Sequence, residues 1–300
     1  MRVRVVWLAL ASCFGGSLTL QAQELKGRVL AASSDKPIAF ATVGIKGQAL
    51  GSTTDERGYF AFTAPTALPS TDSVIISCIG FRALRLTVSQ LREAQGVWRL
   101  PQLAQALGEV PVRHAHLKPA ILGRNAMGGV AYWTTKIRDS TLTVARDERG
   151  WEVATVLPVR HSCYVDSFRF YVSQNDFKPV RFRFVLYELT DGRPTRQLLT
   201  EDIQFTLPSQ QTGWANLDLR AYNIELRQGQ TVAAGIQWLQ GEKLAPQSGP
   251  KSGALSGPGA FPSVGHRVLV RDKSEGEWRS LPVNVSMYLA VQEYKEARTK

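Results

Sequence analysis

The stretch from Leu25 to Val88 leaves this chain little choice of fold. A strand-like Gly27–Val29, the run Pro37–Val43 (PIAFATV) and the turn Thr54–Phe60 (TDERGYF) follow one another there in series. In the turn, Asp55 can accept hydrogen bonds from its own backbone, Gly58 can take a positive φ, and Phe60 resumes an alternating strand on the far side, which is hairpin chemistry. A calcium loop would need further acidic ligands and a closing Glu that this turn lacks. Apolar alternation and β-branched content predict seven short strands near 25–31, 39–45, 49–54, 59–63, 73–79, 82–88 and 97–100, with one helical turn around 89–94.

Together with Gly51–Asp55 ahead of Gly58 and Phe60, and Ile76-Ser77 ahead of Ile79-Gly80-Phe81, these residues resemble the carboxypeptidase regulatory-like domain. The resemblance implies a transthyretin-like sandwich, which in Bacteroidetes-type bacteria heads TonB-dependent outer-membrane transporters or smaller envelope proteins. Leu107–Val112 is similar to the short strand that follows the domain in those proteins. The 188 residues after Val112 are too few for a plug and a barrel of about 22 strands, so a complete transporter is not expected. The metallocarboxypeptidases that give the domain its name carry a His-x-x-Glu pattern, and this chain has none. The resemblance therefore implies no peptidase activity.

Met1–Ala22 carries Arg2 and Arg4, an apolar run from Val5 to Phe14 and a Leu20-Gln21-Ala22 end, the pattern of a cleaved secretory signal. Leu10–Cys13 also fits a lipobox, but the residues after Cys13 stay apolar through Leu20, which favours a discarded leader over a lipid anchor. The expected location is the periplasm or the outer membrane. Without Arg2 and Arg4 the formal charge falls from +11 to +9, a basic excess that favours anionic lipopolysaccharide, phospholipid or glycan. Basic residues spread along alternating strands of an exported chain argue against nucleic acid. No other segment has the run of apolar residues of a spanning helix, so peripheral association is the only membrane contact expected. Oligomeric state is not readable. Cys78 and Cys163 fall in separate predicted cores, so two buried free thiols are expected rather than a bridge.

These boundaries divide the chain into a signal peptide (1–22), the regulatory-like domain (23–100), a linker (101–128) that lends the strand Glu109–Arg113 to a neighbouring sheet, a second β domain (129–296) and a basic tail (297–300). Strands at 167–172, 180–189, 214–219, 231–239, 266–271 and 283–294, separated by Gly- and Pro-rich turns, predict a jelly-roll-like sandwich. The expected fold is all-β, a seven-stranded transthyretin/prealbumin-like sandwich followed by that second sandwich.

Reaction chemistry is sparse. His114 and His116 share one side of an extended strand and could chelate a metal with a third ligand, but no acidic or Cys neighbour completes the set and linker polarity is the reading taken. No cofactor or metal site is expected. Gly-x-Ser-x-Gly is absent, and Ser252 and Ser256 lie in a Gly/Pro/Ser-rich stretch read as loop. Asp147/Glu148 and Glu201/Asp202 are adjacent pairs that point to opposite faces of a strand. Gly241–Gly265 reads as a long loop able to fold over a ligand, with Trp238 and Trp278 on the flanking strands read as core.

Period-two alternation sends Phe168, Phe170 and Val172, and Val180, Phe182, Phe184 and Leu186, inward. Arg169, Tyr171, Arg181, Arg183 and Tyr187 then point outward, and if the two strands pair across Ser173–Pro179 they form one Arg/Tyr patch. Arginine forks bind carboxylates and tyrosines stack on sugar faces, so the patch is read as the binding site for an acidic glycan or an envelope protein. The function expected is non-enzymatic binding or positioning, with a polysaccharide hydrolase or a transporter accessory subunit as alternatives.

Overall fold

The computed structural model describes residues 22–93, 96–103, 116–134, 149–244, 255–263 and 265–294. Residues 1–21 with Cys13, Glu109–Arg113, His114, Asp147/Glu148, Ser252 and residues 297–300 lie outside them.

The first domain holds β1 (Ala22–Ala31), β2 (Thr42–Ile45), β3 (Gly51–Thr53), β4 (Tyr59–Pro65), β5 (Ser73–Ser77), β6 (Leu84–Thr87), the helical turn α1 (Val88–Glu93) and β7 (Gly96–Leu100). Sheets β4-β1-β7 and β3-β2-β5-β6 close on a core that includes Leu25, Val29, Val43, Phe60, Val74 and Ile76. The seven strands and the helical turn fall where alternation places them. At the turn, Asp55 Oδ1 accepts the N–H groups of Arg57 (2.9 Å) and Tyr59 (2.8 Å), and Gly58 sits at φ 79°.

The second domain comprises β8 (Lys118–Gly123), β9 (Ala131–Thr134), β10 (Glu152–Pro158), β11 (Cys163–Val172), β12 (Gln174–Asn175), β13 (Val180–Thr190), β14 (Arg193–Gln197), β15 (Gln204–Leu207), β16 (Gly213–Asp218), β17 (Glu225–Leu226), β18 (Thr231–Gln240), β19 (Leu255–Ala260), β20 (Val268–Arg271), β21 (Arg279–Leu281), β22 (Asn284–Val285) and β23 (Met287–Glu293). One sheet runs β14-β13-β18-β10-β20-β21, with β15 also on β13; the other runs β16-β11-β23-β8, with β17 also on β11. Between them lies a core rich in aromatic residues, including Phe168, Phe170, Phe182, Phe184 and Trp238. A smaller sheet, β12-β19-β22 with β9, adjoins the end of β11 through Ser173 N–H to Ser256 O at 2.8 Å.

Three expectations are corrected. The 101–128 segment is more than a linker: its Lys118–Gly123 pairs antiparallel with β23 and its inward Ala120 and Leu122 pack on the second core, so the second domain starts within it. The supposed 241–265 loop contains β19, with Ser256 buried. Gly257 serves close packing, since a Cβ there would lie 2.2 Å from the Tyr171 carbonyl oxygen and 2.3 Å from Trp133 Nε1. Finally, β11 and β13 do not pair. Their aromatic faces meet across the core instead, with Phe168 and Phe184 rings 5.0 Å apart and Phe170 and Phe182 rings 6.1 Å apart. A hairpin would turn both faces the same way and leave each without its partner.

Candidate functional site

Because β11 and β13 stand in opposing sheets, their outward residues occupy opposite surfaces of the second sandwich. Arg169 and Tyr171 lie on one, and Arg181, Arg183 and Tyr187 on the other. The five do not form one patch.

The surface bearing Arg183 is the one on which the first domain docks. Arg183 is 3% exposed, because its Nη2 donates to the Phe40 carbonyl of the first domain (3.0 Å) and to Asp202 Oδ2 (2.7 Å), and Nη1 donates to Gln237 Oε1 (2.6 Å). Burial opposes its charge, but the hydrogen bonds and field of Asp202 outweigh that and hold the guanidinium ionised, above its ordinary range. Arg181 places its guanidinium 5.1 Å from the Phe40 ring centroid and 3.3 Å from Glu56. Phe40 itself sits at φ 56°, a left-handed conformation that a bulky residue adopts only when its surroundings hold it. Thr54 Oγ1, bonded to Ile38 O and Ala41 N–H, ties the bend from inside.

Arg183 belongs to a polar row. Register places Arg183 opposite Gln237, Gln237 opposite Glu152, and Glu152 opposite Arg271, across β13, β18, β10 and β20. Glu152 is fully buried, and its Oε1 accepts from Gln237 (2.7 Å) and Arg271 (2.7 Å) while Oε2 accepts from the Tyr187 hydroxyl (3.0 Å). Burial and the Glu152 carboxylate push the Tyr187 hydroxyl well above its ordinary range. Arg271 lies 4.3 Å over the Trp278 ring, so Trp278, read as core, instead packs on the outer apolar cluster formed by Ala154, Ala233 and Leu269. Trp238 is core, at 1% exposure.

Beside the docked area this surface remains open as a cleft of about 1500 Å³ between the domains. Its floor includes Val185, Tyr187 and Trp278, and residues 77–81 and 102–103 of the first domain form the facing wall. Glu275 bridges the two, its carbonyl accepting the Gly47 N–H at 2.9 Å, and burial raises its carboxyl above the ordinary carboxylate range. Cys78 is a free, half-buried thiol in the wall, pushed up to about 11 by burial; Cys163 is free and buried in the second core.

The opposite surface, the outer face of β16-β11-β23, is aromatic. Asn216, Arg169 and Tyr288 stand in one row and Trp214 opposite Tyr171 in the next. Trp214 meets Tyr171 edge-on (5.3 Å between centroids) and Tyr288 (5.1 Å). Arg169 Nε donates to Asn216 Oδ1 (2.8 Å) and Nη1 to the Tyr288 hydroxyl (3.4 Å). Among the described residues Arg169 has no carboxylate within ion-pair distance. Asp218 on the same face is held by Arg220, whose hydrogen bonds lower its carboxyl to about 2. Trp214, Asn216 and Tyr288 escaped the sequence reading, although Trp214 and Asn216 carry a signal: both stand on the polar parity of a predicted strand.

Among the described residues no group of three or more His, Cys, Asp or Glu side chains could hold a metal ion, and no helix is long and apolar enough to cross a membrane. Residues 25–112 match the family model of the CarboxypepD_reg-like domain, the domain named from its motifs above. No curated protein matches the sequence. Among solved structures, the chain is similar to the cysteine protease and lectin-like domains of a surface-layer-associated protein of Clostridium difficile, at 10% identity and a TM-score of 0.36, covering 86% of this chain and 59% of that one. The same clostridial protease after propeptide cleavage gives 9% identity and 0.35, covering 85% and 66%. This chain thus spans less than two thirds of either. Overlap at this level does not establish a common fold, and the protease and lectin-like labels stay with those proteins.

Proposed function

We propose that the protein is an exported, non-catalytic binding protein of the cell envelope, in which the regulatory-like domain braces one surface of the second sandwich and leaves the opposite surface free to recognise a partner. The observation that carries this reading is the outer face where half-buried Trp214 and Tyr171 stand beside Arg169, with buried Tyr288 packed against Trp214. Rings of this kind stack on the C–H faces of sugars, and an arginine hydrogen-bonded only to neutral groups keeps its charge available for a carboxylate or sulfate. The partner class that fits is an acidic glycan of the envelope.

Titration of the mature chain with polygalacturonate tests it. Trp214→Ala is expected to weaken binding about two- to tenfold, the equivalent of the roughly 0.5–1.5 kcal/mol of an aromatic contact. Arg169→Gln should reduce the salt dependence. Equal binding by wild type and both variants would refute the assignment.

Hydrolysis in the interdomain cleft is a second reading, favoured by the half-buried Glu275 carboxyl on its lining and the upward shift of its pKa. It needs a second acid: Glu152 and Asp202 already accept hydrogen bonds from Arg271, Gln237, Tyr187, Arg183 and Gln204, which leaves the exposed Glu201 of the cleft lining. Release of reducing ends from envelope polysaccharide, lost in Glu275→Gln, would favour it over binding alone.

A further inference from the structure

The interdomain cleft differs in chemistry from the open aromatic face. Its two arginines are cancelled in place: Arg183 is paired with Asp202, and Arg271 with Glu152. A charged ligand would have to break one of these pairs and leave its partner buried, which is costly. What remains on offer is an uncharged surface with two acids at its margin, Glu201 and Glu275, whose carboxyls disfavour an anionic ligand and can accept hydrogen bonds from sugar hydroxyls. Trp278 and Tyr187 form an aromatic floor, their rings 5.6 Å apart, Tyr222 stands on the lining 38% exposed, and Thr195, Thr200 and Asn223 add hydroxyl and amide groups. The floor strands β13, β18 and β20 are each paired on both sides, so they present side chains and no free backbone edge on which an extended peptide could add as a strand.

We propose that this cleft is a second binding site, for a neutral oligosaccharide segment gripped between the two domains. Flat aromatic rings meeting the apolar faces of pyranose rings, with hydroxyls, amides and the Glu201 and Glu275 carboxyls at the margin and no free cation among the lining residues, suit a neutral sugar chain. The site needs both domains, since the loop at residues 77–81 forms the wall facing Trp278 and Tyr222. It stands apart from the face around Arg169, which lies on the opposite sheet.

The test is calorimetric titration of the full mature chain with soluble xylo-, manno-, cello- and malto-oligosaccharides. At least one should bind. Trp278→Ala should weaken that binding about two- to tenfold, Tyr222→Ala by a smaller factor, and Trp214→Ala not at all. Because Trp278 also packs on Arg271, Tyr222→Ala serves as the variant least exposed to a folding defect. Alkylation of Cys78 near pH ~9 gives an independent readout: bound sugar should slow it, while buried Cys163 stays unmodified throughout. Absence of binding across the series, binding lost in Trp214→Ala but kept in both cleft variants, or Cys78 protected by an unrelated peptide and by no sugar would each overturn the proposal. Loss of polygalacturonate binding alone would strike the open face and leave this site standing.

Discussion

At the residue scale, Arg181 and Arg183 show how two side chains of the same type, on the same strand and the same parity, acquire different roles. Arg181 is 37% exposed and pairs with an exposed Glu56, and surface pairs of this kind contribute about 0–1 kcal/mol. Arg183 is enclosed by Asp202, Gln237 and the Phe40 carbonyl. Removing one partner of a buried pair strands the other and costs about 3–5 kcal/mol. Urea denaturation should therefore find Arg183→Ala destabilised by that amount and Arg181→Ala by less than about 1 kcal/mol. Equal effects would mean that the first domain does not seal Arg183.

At the element scale, β19 is the strand the sequence hides. Leu255–Ala260 (LSGPGA) has the composition of a loop, yet it pairs with β9, β12 and β22. Gly257 lets the backbone lie directly against Trp133 and the Tyr171 carbonyl. Gly257→Ala should cost about 1–3 kcal/mol by overpacking and, by displacing Tyr171, should weaken binding at the aromatic face. Gly128→Ala, where an added methyl meets nothing within 4 Å, should stay within about 0.5 kcal/mol of wild type. Thermal melts of the two variants check this, and a neutral Gly257→Ala would deny β19 its packing role. The first-domain strands were legible because each alternates and ends at a turn with its own chemistry, as at Asp55 and Gly58. The face selection on β11 and β13 was legible for the same reason, since strict period two sorts Phe168 and Phe184 from Arg169 and Arg183.

At the scale of the whole molecule, the half-buried Glu275 carboxyl stands where the two domains meet. Burial raises the Glu275 carboxyl, with Arg271 lowering it and Glu152 raising it again. A carboxyl whose folded pKa lies above its unfolded value contributes stability that is complete below the unfolded pKa and lost as pH rises through the folded pKa. The contact between domains should accordingly tighten from neutral pH down to about 4.5, and Glu275→Gln should stabilise the protein at neutral pH and flatten that dependence. Limited proteolysis across the interface, read against pH, measures it; an unchanged profile in Glu275→Gln would exclude the group. The sequence by itself determined the all-β class, the regulatory-like domain and the inward and outward parity of each strand, because these follow from local periodicity and turn chemistry. Only the tertiary structure decided that β11 and β13 stand in opposite sheets, that Arg183, Gln237, Glu152 and Arg271 line up as one row, and that one face is docked while the other is open. Strand order and domain contact join residues far apart in the chain, and local pattern carries no record of which strand lies beside which.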